Sequence, residues 1–204
     1  MTQQMPASRE TLAANLAGFE RIEAARPDLK PASVVVCVMT AGSGDSLLIT
    51  RRARGLRTHA GQWALPGGRR DAGESVQAAA LRELGEETGL QVAASEILGI
   101  LDDYVTRSGY VITPVVVWGG TADGELAGPA SEVARVYQIP LADLDIEPEF
   151  LRIPESDSPV IRLPLFDRYL HAPTAAIVSQ FCKIGLHATT VRVAQFEAPV
   201  FAWK

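Results

Sequence analysis

The sequence predicts an α/β sandwich with a mixed β-sheet, and three observations lead to this fold class. The chain has 204 residues, of which 47% are hydrophobic and 21% charged, so it can bury the core of a single domain. Short apolar runs rich in β-branched residues are typical of strands. Segments with the 3.6-residue period of helices are scattered among them, without the regular β-α alternation of a doubly wound sheet.

The first third of the chain contains one predicted helix and three predicted strands. Residues 8–26 carry apolar side chains at helical spacing, and the proline at 27 ends the pattern. Residues 32–40 are uniformly apolar and β-branched, as expected of a strand buried on both faces. Residues 46–52 and 62–65 predict two further strands, and the second runs into a sharp Pro-Gly-Gly turn.

The rest of the chain predicts two helices among further strands. From residue 75 to 88 the apolar period is that of a helix, and Gly89 stands in the usual position just past its end. A second helix is predicted at 173–184. The predicted strands are 97–101, 104–106, 111–118, 133–139, 159–166 and, last, 192–196.

The start of the chain and its two cysteines predict the compartment. The first residues have neither the basic region nor the apolar core of a secretory signal. The longest apolar run is far shorter than the ~20 residues of a transmembrane helix. Cys37 and Cys182 lack metal-ligand spacing, so we expect free, buried thiols, with a disulfide between them as the alternative. We therefore predict a cytoplasmic protein that has no membrane partner.

The net charge of −5 conceals a cationic stretch. Six of the 16 arginines fall between positions 51 and 70, where no acid occurs. They are Arg51, Arg52, Arg54, Arg57, Arg69 and Arg70. The acidic total argues against a nucleic-acid polymer as partner. Clustered guanidinium groups suit bidentate contacts with the phosphates of a small ligand.

Three carboxylates share one face of the helix predicted at 75–88. Glu83, Glu86 and Glu87 stand at i, i+3 and i+4, which places them within about 5–6 Å of one another. Arg82 can neutralise Glu86, and a hard divalent cation would offset the remaining charge. The backbone carbonyl of Gly68 can add an oxygen ligand. A solvated acidic face without a metal is the alternative.

The residues around these acids resemble the sequence box of the Nudix hydrolases. Every fixed position of G-x5-E-x7-R-E-U-x-E-E-x-G-U, with U aliphatic, is filled between Gly68 and Leu90. The resemblance implies an α/β/α sandwich with the box as a loop-helix-loop catalytic motif. It implies Mg²⁺ or Mn²⁺ as cofactor and a nucleoside diphosphate linked to another group as substrate. The implied catalytic residues are the metal ligands Glu83, Glu86 and Glu87, with Arg82 and Glu74 orienting the loop and helix.

The resemblance also suggests a division of the chain. It covers about residues 33–145, which we take as the catalytic core. We assign residues 1–30 to an N-terminal helical extension and residues 31–204 to the Nudix domain, whose C-terminal elements pack on the core.

The segment before the box is similar to the signature of the Nudix coenzyme A pyrophosphatases, L-L-T-x-R-S-A-x3-R-x3-G-x3-F-P-G-G. Arg51, Ala53, Arg57, Gly61, Pro66, Gly67 and Gly68 match it, whereas Ile49, Arg52 and Leu65 depart from it. The similarity implies hydrolysis of coenzyme A, or its derivatives, to 3′,5′-ADP and 4′-phosphopantetheine or its acylated form. Coenzyme A carries a diphosphate and a separate 3′-phosphate, which suits a site with surplus cations.

Five residues are candidates for substrate binding. Arg51 and Arg57 are preferred because they fill signature positions, and Arg52 and Arg69 belong to the same cationic stretch. His59 could contact phosphate or cap its loop. For each arginine, a solvated or internally paired side chain is the alternative. Trp63 could stack on adenine, although a core position is the alternative for it.

Several assignments stay open. The general base is Glu83, Glu86 or Glu87, or an acid of a later loop such as Glu132. The departures from the signature keep ADP-ribose, NADH or another nucleoside diphosphate derivative as alternative substrates. A catalytically silent Nudix domain that binds a nucleotide as a sensor is the alternative of another class, against which the complete set of box glutamates argues. A homodimer is likewise left open.

Overall fold

The computed structural model describes residues 8–41, 44–53, 55, 60–121, 125–166, 168–200 and 203. These residues contain four α-helices, α1 (Arg9–Ala17), α2 (Val76–Thr88), α3 (Leu141–Leu144) and α4 (Thr174–Phe181), the last continued by a π-turn at Cys182–Leu186. They also contain eleven strands: β1 (Lys30–Ala41), β2 (Gly44–Arg52), β3 (Trp63–Ala64), β4 (Gly67–Arg69), β5 (Ile97–Ile100), β6 (Tyr104–Val105), β7 (Tyr110–Gly120), β8 (Val133–Pro140), β9 (Glu149–Ile153), β10 (Ser156–Leu165) and β11 (Arg168–His171).

Strand β1 is the centre of a mixed sheet with the order β3-β2-β1-β7-β5. It runs parallel to β7 and antiparallel to β2, and its first residues pair antiparallel with β4. Strand β8 adds to β2, and β6 adds to β7. A second, antiparallel sheet has the order β11-β10-β9. The predicted mixed sheet is confirmed.

The two faces of β1 are buried by different layers, which makes the fold an α/β/α sandwich. Val35, Cys37 and Met39 are fully buried in the core that contacts α2. Val36 and Val38 are fully buried on the opposite face, in the core that contacts α1, α4 and the small sheet. Burial on both faces explains why this strand is uniformly apolar in sequence.

The predicted helix at 8–26 is wrong in its second half. Helix α1 begins after Ser8, whose hydroxyl accepts a hydrogen bond from the Thr11 amide at 3.1 Å, and ends at Ala17 before a glycine. Beyond it the amides of Ile22 and Ala24 donate to buried carboxylates of the β5–β6 loop instead of to a helical carbonyl. Ile22 is 55% exposed, so this last apolar residue of the predicted pattern does not contribute to the core.

Other differences concern short or irregular segments. The strand predicted at 192–196 is absent from the structure, where Glu197 forms only an isolated bridge with Val160. Val193 is buried within a turn, which accounts for the apolar signal. The three- to five-residue strands β4, β9 and β11 were not predicted, because such short runs carry little periodicity.

Both cysteines are buried free thiols, as expected, and burial raises the pKa of each. Among the described residues, every helix is too short or too polar to span a bilayer.

Candidate active site

Strand β4 and helix α2 bring the box residues together. The hydroxyl of Ser75 accepts a hydrogen bond from the Ala78 amide at 3.1 Å and caps the start of α2. Gly89 ends the helix with a left-handed φ of 76°, which glycine adopts without strain. The predicted acids therefore lie on one regular helix. Its buried face, which includes Leu84, packs on β1.

Arg82 is hydrogen-bonded to three glutamates and one backbone carbonyl. Its guanidinium donates to Glu74 at 2.9 and 3.0 Å, to Glu83 at 2.8 Å and to Glu86 at 3.1 Å. It also donates to the Arg69 carbonyl at 3.1 Å. The Arg82 contact lowers the pKa of Glu74 to about 2. This arrangement ties the loop after β4 to helix α2.

The carboxylate of Glu87 has little access to solvent. Only 7% of the residue is exposed, and its Oε2 accepts a hydrogen bond from the Gly67 amide at 3.3 Å. Desolvation raises the pKa of Glu87 to about 7, and desolvation also raises the pKa of the half-buried Glu83 despite its contact with Arg82. A buried charge without a counter-charge is costly, so a cation at this position would stabilise both acids.

Two glycines bring bare backbone against these acids. A Cβ atom on Gly68 would lie 2.3 Å from Oε1 of Glu83. A Cβ atom on Gly67 would lie 2.4 Å from the Ser33 carbonyl on β1. A Cβ at position 67 would meet rigid backbone, whereas one at position 68 would meet the movable end of the Glu83 side chain, so the backbone of Gly68 lies beside that carboxylate.

The oxygen atoms at the junction of β4 and α2 are suitable ligands for a hard divalent cation. Such ions prefer carboxylate and carbonyl oxygens, which Glu83, Glu86, Glu87 and Gly68 supply. In the described part of the chain, no three acidic, histidine or cysteine side chains already converge in a ligand geometry. Arg82 donates hydrogen bonds to Glu83 and Glu86, and the Gly67 amide donates one to Glu87. A cation would compete with Arg82 for the first two.

Glu132, from the loop before β8, lies close to the box acids. Its charge contributes to the raised pKa of both Glu83 and Glu87. Its backbone carbonyl accepts a hydrogen bond from the Ala53 amide at 2.9 Å, which places the loop beside the end of β2. Glu132 is exposed to solvent.

A cavity of about 870 Å³ adjoins Gly67 and Gly68. It lies on the α4 side of the central sheet, whose residues Val34 and Ile112 form part of its wall. Its volume is near the upper end of the roughly 300–1,000 Å³ of ligand pockets. The basic side chains in its wall are Arg52, Arg69, Arg107, Arg168 and His171.

The predicted substrate-binding residues are distributed unevenly around this cavity. Arg52 and Arg69 line it, and the charge of Arg52 lowers the pKa of Glu87 against the dominant effect of burial. Arg69 donates to the Tyr110 hydroxyl at 2.8 and 3.1 Å. Arg51 is not in the described cavity wall, and its guanidinium lies 5.7 Å from the centre of the Trp63 ring. Arg57 and His59, like Arg54, fall outside the described residues.

Trp63 contacts the hydrophobic core and also lines the cavity. It packs edge-on against Tyr137, with ring centres 4.6 Å apart, and contacts the core. It also lines the cavity. Its buried Nε1 has no hydrogen-bond partner among the described residues.

Sequence reasoning missed the C-terminal side of the cavity. Arg168, Tyr169, His171 and Thr174 come from β11 and the first turn of α4. They follow the box by about eighty residues and have no motif spacing, so only the tertiary fold could place them there.

Comparisons with known proteins agree with this architecture. A family model described as NUDIX domain matches residues 30–163. The Uncharacterized Nudix hydrolase NudL of Escherichia coli is 46% identical over 99 residues, which cover 47% of this chain and 50% of that protein. Nudix hydrolase 3 of Caenorhabditis elegans is 37% identical over 117 residues, covering 55% of this chain and 48% of that protein. The chain thus spans about half the length of the curated relatives it matches.

A solved structure supports the fold over most of the chain. The crystal structure of a NUDIX hydrolase from Alicyclobacillus acidocaldarius matches with a TM-score of 0.55 at 18% sequence identity. The match covers 83% of this chain and 99% of that one.

Proposed function

This chain belongs to the Nudix family, and from that premise we propose that it is a divalent-metal-dependent hydrolase of the pyrophosphate bond in nucleoside diphosphate derivatives. The observation that carries the proposal is the junction at Gly67 and Gly68. Their backbone contacts the carboxylates of Glu87 and Glu83, and both residues also line the cationic cavity. A pyrophosphate bound there would meet acids that can hold metal and arginines that can hold phosphate.

Each box residue has a role in this proposal. Glu83, Glu86 and Glu87, with the Gly68 carbonyl, would hold Mg²⁺ or Mn²⁺. The bound cation would neutralise phosphate oxygens and lower the pKa of the attacking water. Arg82 and Glu74 position the loop against α2 through their paired hydrogen bonds.

The cavity cations would orient the phosphates. Arg52 and Arg69 line the same cavity as Gly67 and Gly68 and would bind the pyrophosphate oxygens. Contacts from Arg51, Arg57 and His59 stay predictions. The general base is one of the three metal-binding glutamates or Glu132, which lies near them outside the Arg82 network.

Coenzyme A or a derivative is the substrate that we favour within this chemistry. The support is the signature before the box, the large cavity volume and a number of basic side chains beyond the needs of one diphosphate. ADP-ribose or NADH is the alternative, since Arg52 and Leu65 depart from the signature. We place the reaction in the cytoplasm, where free thiols such as Cys37 and Cys182 stay reduced. A homodimer stays a prediction.

A substrate panel tests the proposal. Hydrolysis of coenzyme A, ADP-ribose, NADH and a nucleotide sugar is measured with Mg²⁺ and with Mn²⁺, and we expect the highest kcat/KM for coenzyme A. The double variant Glu86→Gln/Glu87→Gln should lose at least about 100-fold in activity while remaining folded, because it removes two metal ligands. Glu155→Gln, at an exposed turn, is the matched control and should be fully active.

Three results would count against parts of the proposal. Coenzyme A cleaved no faster than ADP-ribose would overturn the coenzyme A assignment. Unchanged activity of the double variant would overturn the metal assignment. Nucleotide binding without any turnover would indicate the silent sensor domain instead.

A further inference from the structure

The first residues of β1 hold β4 and β7 next to each other at the cavity. Ala32 pairs with Arg69 of β4 on one side and with Ile112 of β7 on the other, and Lys30 pairs with Tyr110. Paired residues share a face of a sheet, as do alternate residues along a strand. The side chains of Arg69 and Tyr110 therefore lie on one face, and both residues line the cavity.

Arg69 is anchored through both its backbone and its side chain. Its carbonyl accepts a hydrogen bond from Arg82 at 3.1 Å, which connects it to helix α2. Its guanidinium donates to the Tyr110 hydroxyl through Nη2 at 2.8 Å and through Nε at 3.1 Å. An arginine has five N–H donors, so this pairing does not exhaust the guanidinium.

The hydroxyl of Tyr110 is a suitable partner for orienting a cation. A phenol carries no charge near pH 7, so it can fix a guanidinium without cancelling its charge. Arg82, in contrast, donates to three carboxylates. Arg69 is exposed, and a long side chain that is free to move loses conformational entropy when it binds a ligand. The contact with Tyr110 restricts this side chain before the ligand arrives.

We propose that Tyr110 is a positioning residue, which holds the guanidinium of Arg69 in place for the phosphate oxygens of the substrate. The inference rests on the proposed function, because it takes the cavity as the substrate site. Tyr110 acts through Arg69 and not by touching the reacting atoms. It stands outside the box that ends at Leu90, and the pairing of β4, β1 and β7 brings it to Arg69.

Binding of ADP and of adenosine separates phosphate contacts from nucleoside contacts, because the two ligands differ only in the diphosphate. Titration calorimetry with chelator present gives the Kd of ADP, and displacement of ADP gives that of adenosine. Tyr110→Phe removes the hydrogen-bond acceptor and keeps the half-buried ring, so the variant should fold. It should weaken the binding of ADP about fivefold, since the guanidinium is no longer restricted, and leave the Kd of adenosine within about twofold.

A double-mutant cycle tests whether Tyr110 acts through Arg69. Arg69→Met removes the guanidinium and should weaken the binding of ADP at least about tenfold. Without the guanidinium, Tyr110 has nothing to hold, so adding Tyr110→Phe should change the Kd of ADP less than about 1.5-fold. Tyr137→Phe makes the same change at a half-buried tyrosine outside the described cavity wall and should bind ADP like the parent. Thermal unfolding verifies that each variant is folded.

The inference would be overturned if the parent protein did not bind ADP, if Tyr110→Phe bound ADP like the parent, or if Tyr137→Phe showed the same loss. An equal loss of affinity for ADP and adenosine in Tyr110→Phe would also overturn it and would indicate a structural role. An equal effect of Tyr110→Phe with and without Arg69 would mean that Tyr110 contacts the ligand directly. Because binding is measured without metal or turnover, a failed substrate panel would overturn the hydrolase proposal and not the role of Tyr110.

Discussion

Glu87 shows how burial changes the chemistry of a residue whose position is otherwise ordinary. It shares a helix face with Glu83 and Glu86, but Glu86 is exposed whereas Glu87 is 7% exposed. Its pKa is raised from 4.5 to about 7 by desolvation. Metal binding at neutral pH would therefore release a proton from a carboxyl group that is partly protonated.

This shift predicts a pH-dependent stability of the metal-free protein. An acid whose pKa is higher in the folded state destabilises the fold once the pH exceeds its unfolded pKa, and the cost is complete above the folded pKa. Glu87→Gln removes that cost and can still accept from the Gly67 amide. With chelator present, the variant should be more stable than the parent by about 3 kcal/mol at pH 8, as the pKa change implies. The advantage should vanish near pH 4.5.

Urea unfolding at the two pH values measures the difference. Glu155→Gln, with an exposed side chain, retains Glu87 and serves as the control, so its stability should equal that of the parent at each pH. An unchanged difference between the parent and Glu87→Gln across this range would contradict the raised pKa.

At the scale of elements, the two glycines of β4 have different neighbours. Gly67 faces the backbone of β1, where an added Cβ would lie 2.4 Å from the Ser33 carbonyl and 2.7 Å from the Val34 Cα. Gly68 faces the end of the Glu83 side chain, which can move. The same substitution at neighbouring positions should therefore have different consequences.

Gly67→Ala should reduce the free energy of unfolding by about 1–3 kcal/mol, because rigid backbone must shift. Gly68→Ala should change stability little and reduce hydrolysis at least about tenfold, since it displaces the Glu83 carboxylate. Urea unfolding and steady-state rates distinguish the two. Gly18→Ala, where an added Cβ would lie in ordinary contact at 3.7 Å from the Asn15 carbonyl, is the control. An unaltered rate in Gly68→Ala would argue against Glu83 as a metal ligand.

The elements also show where periodicity is a reliable guide. Helix α2 and strand β1 follow their predicted ranges closely, because each buries a continuous face. Helix α1 stops nine residues early, since its second half finds better hydrogen-bond partners outside a helix. The segment at 192–196 buries one valine without pairing as a strand.

At the scale of the whole molecule, two buried acids connect distant segments. Asp102 accepts from the Ile22 amide at 2.7 Å, from Arg192 at 2.8 Å and from Gln180 at 2.8 Å. Asp103 accepts from Arg21 at 2.7 Å, from Thr113 at 2.6 Å and from the Ala24 amide at 2.9 Å. The β5–β6 loop thereby holds the segment after α1 and the C-terminal segment against the central sheet.

Asp102→Asn should reduce the free energy of unfolding by about 2–4 kcal/mol, because the amide cannot accept all three hydrogen bonds and leaves Arg192 without its charge partner. Denaturant titration measures the loss. Asp157→Asn, exposed on β10, is the control and should cost less than about 0.5 kcal/mol. A similar stability of the two variants would show that the hydrogen bonds to Asp102 contribute little to the free energy of unfolding.

The amino-acid sequence by itself determined the mixed α/β fold, the buried central strand and the helix on which Glu83, Glu86 and Glu87 share a face. These follow from the period of side chains along a helix or strand, which is a local property. Only the tertiary structure decided that Glu87 is buried, that Arg52 and Arg69 line the cavity while Arg51 lies against Trp63, and that β11 contributes His171 to the same cavity wall. Burial and cavities arise where segments far apart in the chain pack together, and no local spacing encodes that packing.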